Sequence, residues 1–163
     1  MTRKRIKRIL FALFLVYCAV LAYALLSPTL HHPKPDVRSY NLIPLATIVE
    51  MLGKVTESSA VVFKNIGMNI LLFVPLGMAL PVLFPKMRRL WRTVLVCLAA
   101  TVLAEVLQFL FHLGTFDVDD ILLNVLGGLC GYGIVHLPPL RKFQTDSIRG
   151  EETTPGLSGC RWP

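Results

Sequence analysis

Within residues 105–133 an acid and an amide, Glu105 and Gln108, sit inside an apolar run, and a compact acidic turn of Asp117, Asp119 and Asp120 follows. A second apolar run then carries Asn124 among Gly127, Gly128, Gly131 and Gly133. Glu105, Gln108 and His112 follow the spacing i, i+3, i+7, and Asp120 and Asn124 are four apart, so each set lines one face of a helix. Two such faces joined by a short turn can meet. Glu105, in apolar surroundings, is a candidate general acid or base with Asp117 or Asp120 as its partner. The three aspartates with Asn124 can bind a ligand or a divalent cation through oxygen, and Asp119 and Asp120 can equally cap the helix that follows. The D-x-D-D spacing lacks the alternating ligands, central glycine and distal glutamate of a calcium loop, so no metal and no cofactor are assigned. No serine or cysteine stands beside a base as a nucleophile requires.

An apolar run earlier in the chain adds Asn65 and Asn69, four residues apart on one face. Asn69, Glu105, Gln108 and Asn124 lie at similar depth and are expected to converge under the acidic turn. The binding set read from the sequence is therefore Asn69, Glu105, Gln108, Asp117, Asp119, Asp120 and Asn124. A purely structural reading stands beside it, since amides in membrane helices bond across helices at about 0.6–2 kcal/mol each. Gln108 reads as a partner for Glu105, and His112 as a solvated end-of-helix histidine.

The elements that must position these groups are membrane spans. The chain has 163 residues, 54% of them hydrophobic and 17% charged, with a mean hydropathy of +0.61. A soluble domain of this size needs more polar surface to cover itself, whereas four apolar runs of roughly 20 residues account for the composition directly. These runs are about 9–27, 65–84, 91–113 and 120–137. The expected fold is all-α, a polytopic membrane bundle of four transmembrane helices, with the bilayer as its first partner. The domain reading is a basic cytoplasmic N-terminus at 1–8, a transmembrane domain at 9–140 and a disordered cytoplasmic tail at 141–163. Ala22-Tyr23-Ala24 after a basic start also fits a cleavable signal peptide.

Residues 28–64 are polar and broken by Pro28, Pro33, Pro35 and Pro44, an external loop. Leu45, Ile48, Val49 and Leu52 repeat at helical spacing within it, with Pro44 before and Gly53 after. They form either a short interfacial helix or a segment tucked against the bundle.

The net charge of +7 does not point to nucleic acid, because the bases cluster beside the apolar runs rather than along one polar face. Of the 17 Lys and Arg, five precede the first run, four lie between the second and third, and four follow the fourth. Only Lys34, Arg38, Lys54 and Lys64 remain for the other side. That bias puts both termini in the cytoplasm and the acidic turn outside. Cys18, Cys97 and Cys130 fall in apolar runs and Cys160 in the tail, with no CxxC, so neither a disulfide framework nor a zinc site is read. Gly127 and Gly131 form a GxxxG step, suited to close helix approach within the chain or to a homo-oligomer.

Three patches carry a family likeness: Asn41-Leu42-Ile43-Pro44; Asn69 through Phe73, Pro75 and Gly77; and Glu105 and Gln108 leading through Phe116, Asp117, Asp119 and Asp120 to Asn124, Gly127, Gly128 and Gly131. On these the chain resembles the VanZ-like family of small bacterial membrane proteins, whose founding member is associated with teicoplanin resistance. The resemblance covers most of residues 10–137. It implies a helical membrane protein of the bacterial envelope linked to glycopeptide tolerance, and it supplies no established reaction. Some relatives carry an arginine just before the turn aromatic, where this chain has Gly114 and Thr115.

Three functions follow from these observations. The first is an outward-facing polar site that engages a lipid-linked cell-wall component or a glycopeptide, its acids attracting a cationic group. The second is an intramembrane enzyme acting on a lipid, with Glu105 as acid or base. The third is a small transporter with Glu105 as a proton relay, which four spans without a visible inverted repeat make less fitting.

Overall fold

The computed structural model describes residues 3–27, 40–53, 55–111, 113 and 115–137, with the side chains of 3–4 and 55–65 left undescribed. The expectations for His112, the Asn65 side chain, residues 28–39 of the loop and the tail 141–163 lie outside the described residues.

Among the described residues five α-helices follow in order: α1 (Arg3–Leu26), α2 (Ala46–Gly53), α3 (Val55–Leu83), α4 (Leu90–Leu110) and α5 (Val118–His136). A 3-10 turn, Pro85–Arg88, joins α3 to α4. Two short strands, β1 (Tyr40–Asn41) and β2 (Phe116–Asp117), pair in parallel, with Tyr40 opposite Phe116 and Asn41 opposite Asp117. Among the described residues four helices hold windows long and apolar enough to cross a membrane: Arg5–Leu26, Ile66–Leu83, Leu90–Leu110 and Val118–His136. Their outward faces are bare hydrocarbon, with Leu13, Val16, Leu71 and Leu103 all more than half exposed. Such a surface is unstable in water and matched to lipid. The fold is an all-α polytopic bundle.

Helix boundaries differ from the hydropathy reading where polarity and helix propensity disagree. α3 starts at Val55 rather than near residue 65, because 55–64 is polar but holds no glycine or proline to stop a helix. α2 starts at Ala46, since Leu45 adopts a left-handed φ of 67° that cannot continue a helix.

The bundle is built on α5 packed against α3, with α4 on its other side. Glycines permit this approach. A Cβ on Gly127 would collide with the Ile70 carbonyl of α3, one on Gly131 with the Val74 carbonyl, and one on Gly77 with Gly128. The strip that the sequence offers for either intrachain or interchain packing is thus filled by the chain's own α3. Gly127 and Gly131 are buried in that seam.

α1 closes the core by setting Leu21 and Leu25 among Phe73, Leu76, Leu80, Cys97 and Ala104. Near its start Phe11 and Phe14 meet Phe84 edge to face. The Tyr17 hydroxyl donates to the Leu72 carbonyl, close to the break in backbone pairing that Pro75 imposes on α3. At the opposite end from the acidic turn, the Thr93 hydroxyl donates to the Met87 carbonyl at 2.8 Å and the Tyr132 hydroxyl to the Arg88 carbonyl at 2.5 Å, fixing the α3–α4 turn.

Candidate functional site

The acidic turn is a hub that joins segments far apart in the chain. Asp117 is the N-cap of α5, with extended backbone (φ −126°, ψ 119°), and its carboxylate accepts the Asp119 N–H at 2.9 Å. Asp119, in the first turn, is fully buried and reaches away from its own helix. Its carboxylate accepts the backbone N–H groups of Leu45 at 2.5 Å, Thr47 at 2.8 Å and Ile48 at 3.2 Å. A helix leaves its first N–H groups unpaired, and Ile43, Pro44 and Leu45 bring no side-chain acceptor of their own. Asp119 therefore caps α2 from across the molecule. The cap of α5, one of the roles open to Asp119 and Asp120 from the sequence, is held by Asp117, with those two in the first turn.

Asn41 and Thr47 complete the hub. The Asn41 carboxamide oxygen accepts the Ile43 N–H at 3.2 Å, and its nitrogen donates to Thr47 Oγ1 at 2.8 Å and Asp117 Oδ1 at 3.3 Å. The Thr47 hydroxyl donates to Asp117 Oδ2 at 2.7 Å. From the far side, Glu105 Oε2 accepts the Asp117 N–H at 3.0 Å, tying the last turns of α4 to β2. Asn69 of α3 donates to Asp120 Oδ1 at 2.5 Å. Four acids thus gather at one end of the bundle, near the positive ends of two helix dipoles. Every donor seen on Asp117 and Asp119 is neutral.

Of the four side chains expected under the turn, Asn69 and Glu105 bond to it. Gln108 turns to α1 and donates to the Leu25 carbonyl at 2.6 Å. Asn124 lies one turn deeper than Asp120 and donates to Thr101 Oγ1 at 2.8 Å, while its own oxygen is buried without a hydrogen-bond partner.

Thr101 belongs to a stripe invisible to a search for acids and amides. Thr93, Cys97, Thr101 and Glu105 recur every four residues along α4, each at most 3% exposed, so one face of that span is small and polar along its length. Asn41, Thr47 and Thr101 have no role in the sequence reading of the site. The missing local cap of α2 demands an acceptor from elsewhere, which Asp119 supplies.

As chemistry, the hub offers oxygen-rich recognition at the half-buried pair Asn69–Asp120 and at Asp117, backed by the buried Asp119 and Glu105. Among the described residues no group of three or more His, Cys, Asp or Glu side chains is arranged to hold a metal ion.

Comparison with known proteins adds a relationship. A family model described as VanZ/LLP1 matches residues 9–138. Protein VanZ of Enterococcus faecium is 32% identical over 75 residues, a stretch that covers 44% of this chain and 46% of that protein. The match thus spans less than half the length of that relative. No solved structure matches the chain.

Proposed function

Because the chain belongs to the VanZ/LLP1 family, we propose that it is an envelope protein that contributes to glycopeptide tolerance, teicoplanin included, through a polar site on the outer face of the cytoplasmic membrane. The site engages a lipid-linked cell-wall component or the drug itself. Asp120 and Asn69 form its ligand-facing edge with Asp117, while Glu105, Gln108, Asp119 and Asn124 hold that edge in place.

The observation that carries this reading is the convergence of Asn69, Glu105 and the three aspartates at one end of a four-span bundle. Asp117 and Asp119, bonded to neutral donors, keep a negative field there, and a cationic group on a ligand is drawn to it. The Lys and Arg bias supports the outward orientation of that end. The intramembrane-enzyme reading fits less well, since Glu105 is 3% exposed and one carboxylate oxygen is occupied by the Asp117 N–H.

The test is susceptibility to teicoplanin and vancomycin, side by side, in a susceptible bacterium expressing the wild type, Asp120→Asn or Glu105→Gln at matched membrane levels. Wild type is expected to raise the inhibitory concentration and Asp120→Asn to lose that protection. If expression of the wild type shifts susceptibility to neither drug, the reading is wrong.

A further inference from the structure

Three helix faces meet in register behind the acidic turn. On α5, Asp120, Asn124 and Gly128 recur every four residues, as do Glu105, Thr101 and Cys97 on α4, read in reverse because that helix runs the other way. Asn69 of α3 donates to Asp120, and a Cβ on Gly77, eight residues on, would collide with Gly128. Asn124 donates to Thr101, and a Cβ on Gly128 would collide with the Cys97 sulfur. The core is therefore stacked in three levels. Asn69, Asp120 and Glu105 lie at the acidic end, Phe73, Asn124 and Thr101 below them, and Gly77, Gly128 and Cys97 below those.

Between the first two levels, two groups lack a partner of the right kind. Glu105 is 3% exposed, its Oε2 accepts the Asp117 N–H, and the charged groups that act on it are two further acids, Asp120 and Asp117. A buried carboxylate without a positive partner is costly. Asn124 is 1% exposed, and its oxygen has no hydrogen-bond partner. With its nitrogen on Thr101, the carboxamide stands over the turn towards Asp120, because helical side chains lean towards the N-terminus of their own helix. The turn on its other side is filled by the contacts of Gly128 with Gly77 and Cys97. Asn124 Oδ1 thus faces the level of the Glu105 and Asp120 carboxylates.

An unpaired amide oxygen below two carboxylates suits a cation. Calcium takes about six to eight oxygen ligands, whereas these three side chains carry few and two of their oxygens already accept N–H groups. The ion must also be compact, since α3 and α5 are in backbone contact at Gly127, just below. We propose that Glu105, Asp120 and Asn124 bind one sodium ion between α4 and α5, reached from the half-buried Asn69–Asp120 edge. Asn69 and Thr101 are positioning residues that hold Asp120 and Asn124 towards it. The ion ties α4 to α5 beneath the acidic turn. Its binding does not depend on any effect of the protein on glycopeptides, so either reading can fail alone.

Two measurements on the full chain in detergent decide it. Radioactive sodium is expected to bind the wild type saturably, one ion per chain, a readout that needs no variant to fold. Sodium chloride should raise the melting temperature above that in choline chloride at equal ionic strength. Asn124→Leu and Glu105→Gln should each weaken binding about tenfold or more, while Glu50→Gln, which alters an exposed acid on α2, keeps wild-type binding. In sodium-free buffer Asn124→Leu should melt close to the wild type, which separates lost binding from lost fold. The absence of saturable binding to the wild type overturns the proposal, and so does equal binding in Asn124→Leu and Glu105→Gln. Displacement of sodium by equimolar calcium also overturns it, as does a melting temperature that follows pH but not sodium, which would give the place to a proton.

Discussion

Asp119 has no exposed surface, and its carboxylate is held by three backbone N–H groups of another segment. Orphaning a buried donor costs about 1–3 kcal/mol, so Asp119→Ala, which strands three of them, should lower the melting temperature in detergent sharply. Asp119→Asn keeps one acceptor oxygen and should lie between the two. A melting temperature unchanged in both would mean that the cap contributes nothing to stability. Asn124 poses the opposite problem, because one end of its amide is bonded to Thr101 and the other is unpaired. Asn124→Leu loses one hydrogen bond but also removes a buried unpaired acceptor, so its net effect should stay within about 1 kcal/mol. Thr101→Val leaves the amide in place without its acceptor and should cost more, about 1–3 kcal/mol. Unfolding of the two variants side by side in mixed micelles checks this order, and the reverse order would mean that the Asn124 oxygen has a partner of its own.

At the scale of elements, the α3–α5 seam is set by backbone contact. A methyl group on Gly131 meets the Val74 carbonyl and the Met78 N–H, neither of which can swing aside. Gly131→Ala is therefore expected to reduce folded protein in the membrane despite the gain of about 1 kcal/mol in helix propensity. Gly133→Ala, with nothing within 4 Å of the new carbon, should keep that gain. Gly128→Ala meets chiefly the Cys97 sulfur, at 2.5 Å, so Cys97→Ala should partly rescue it. Protein yield and melting temperature of these variants report the seam directly. The same elements show what a linear reading can and cannot reach. Hydropathy is a local property, so all four spans are legible, although the start of α3 is not, because Lys64 and Asn65 end the apolar run without ending the helix. Depth along a helix is also legible, and it brings Asn69 and Glu105 to the turn. Azimuth relative to a particular neighbour is a tertiary outcome. For that reason Gln108, three residues from Glu105, bonds to α1, and Asp119 caps a helix other than its own.

At the scale of the whole molecule, the orientation we propose from the Lys and Arg bias, with the acidic turn outside, is open to a direct test. In a cysteine-free background, a membrane-impermeant maleimide added to intact cells should label Leu113→Cys, beside the acidic turn, and spare Leu137→Cys until the membrane is opened. Labelling of Leu137→Cys in intact cells would invert the orientation and take the polar hub out of reach of an external ligand. The hub also has a history within each molecule. Its donors in residues 41–48 lie 70 to 76 positions before the carboxylates that receive them, and a chain is made from its N-terminus onward. α2 must therefore wait, uncapped, while α3 and α4 are synthesised and inserted, and it is secured only when α5 arrives. A nascent chain halted before Val118 carries this segment open, and a finished one carries it closed. The segment around α2 thus distinguishes a finished chain from one that stopped short, a difference that limited proteolysis of full-length and truncated chains should report.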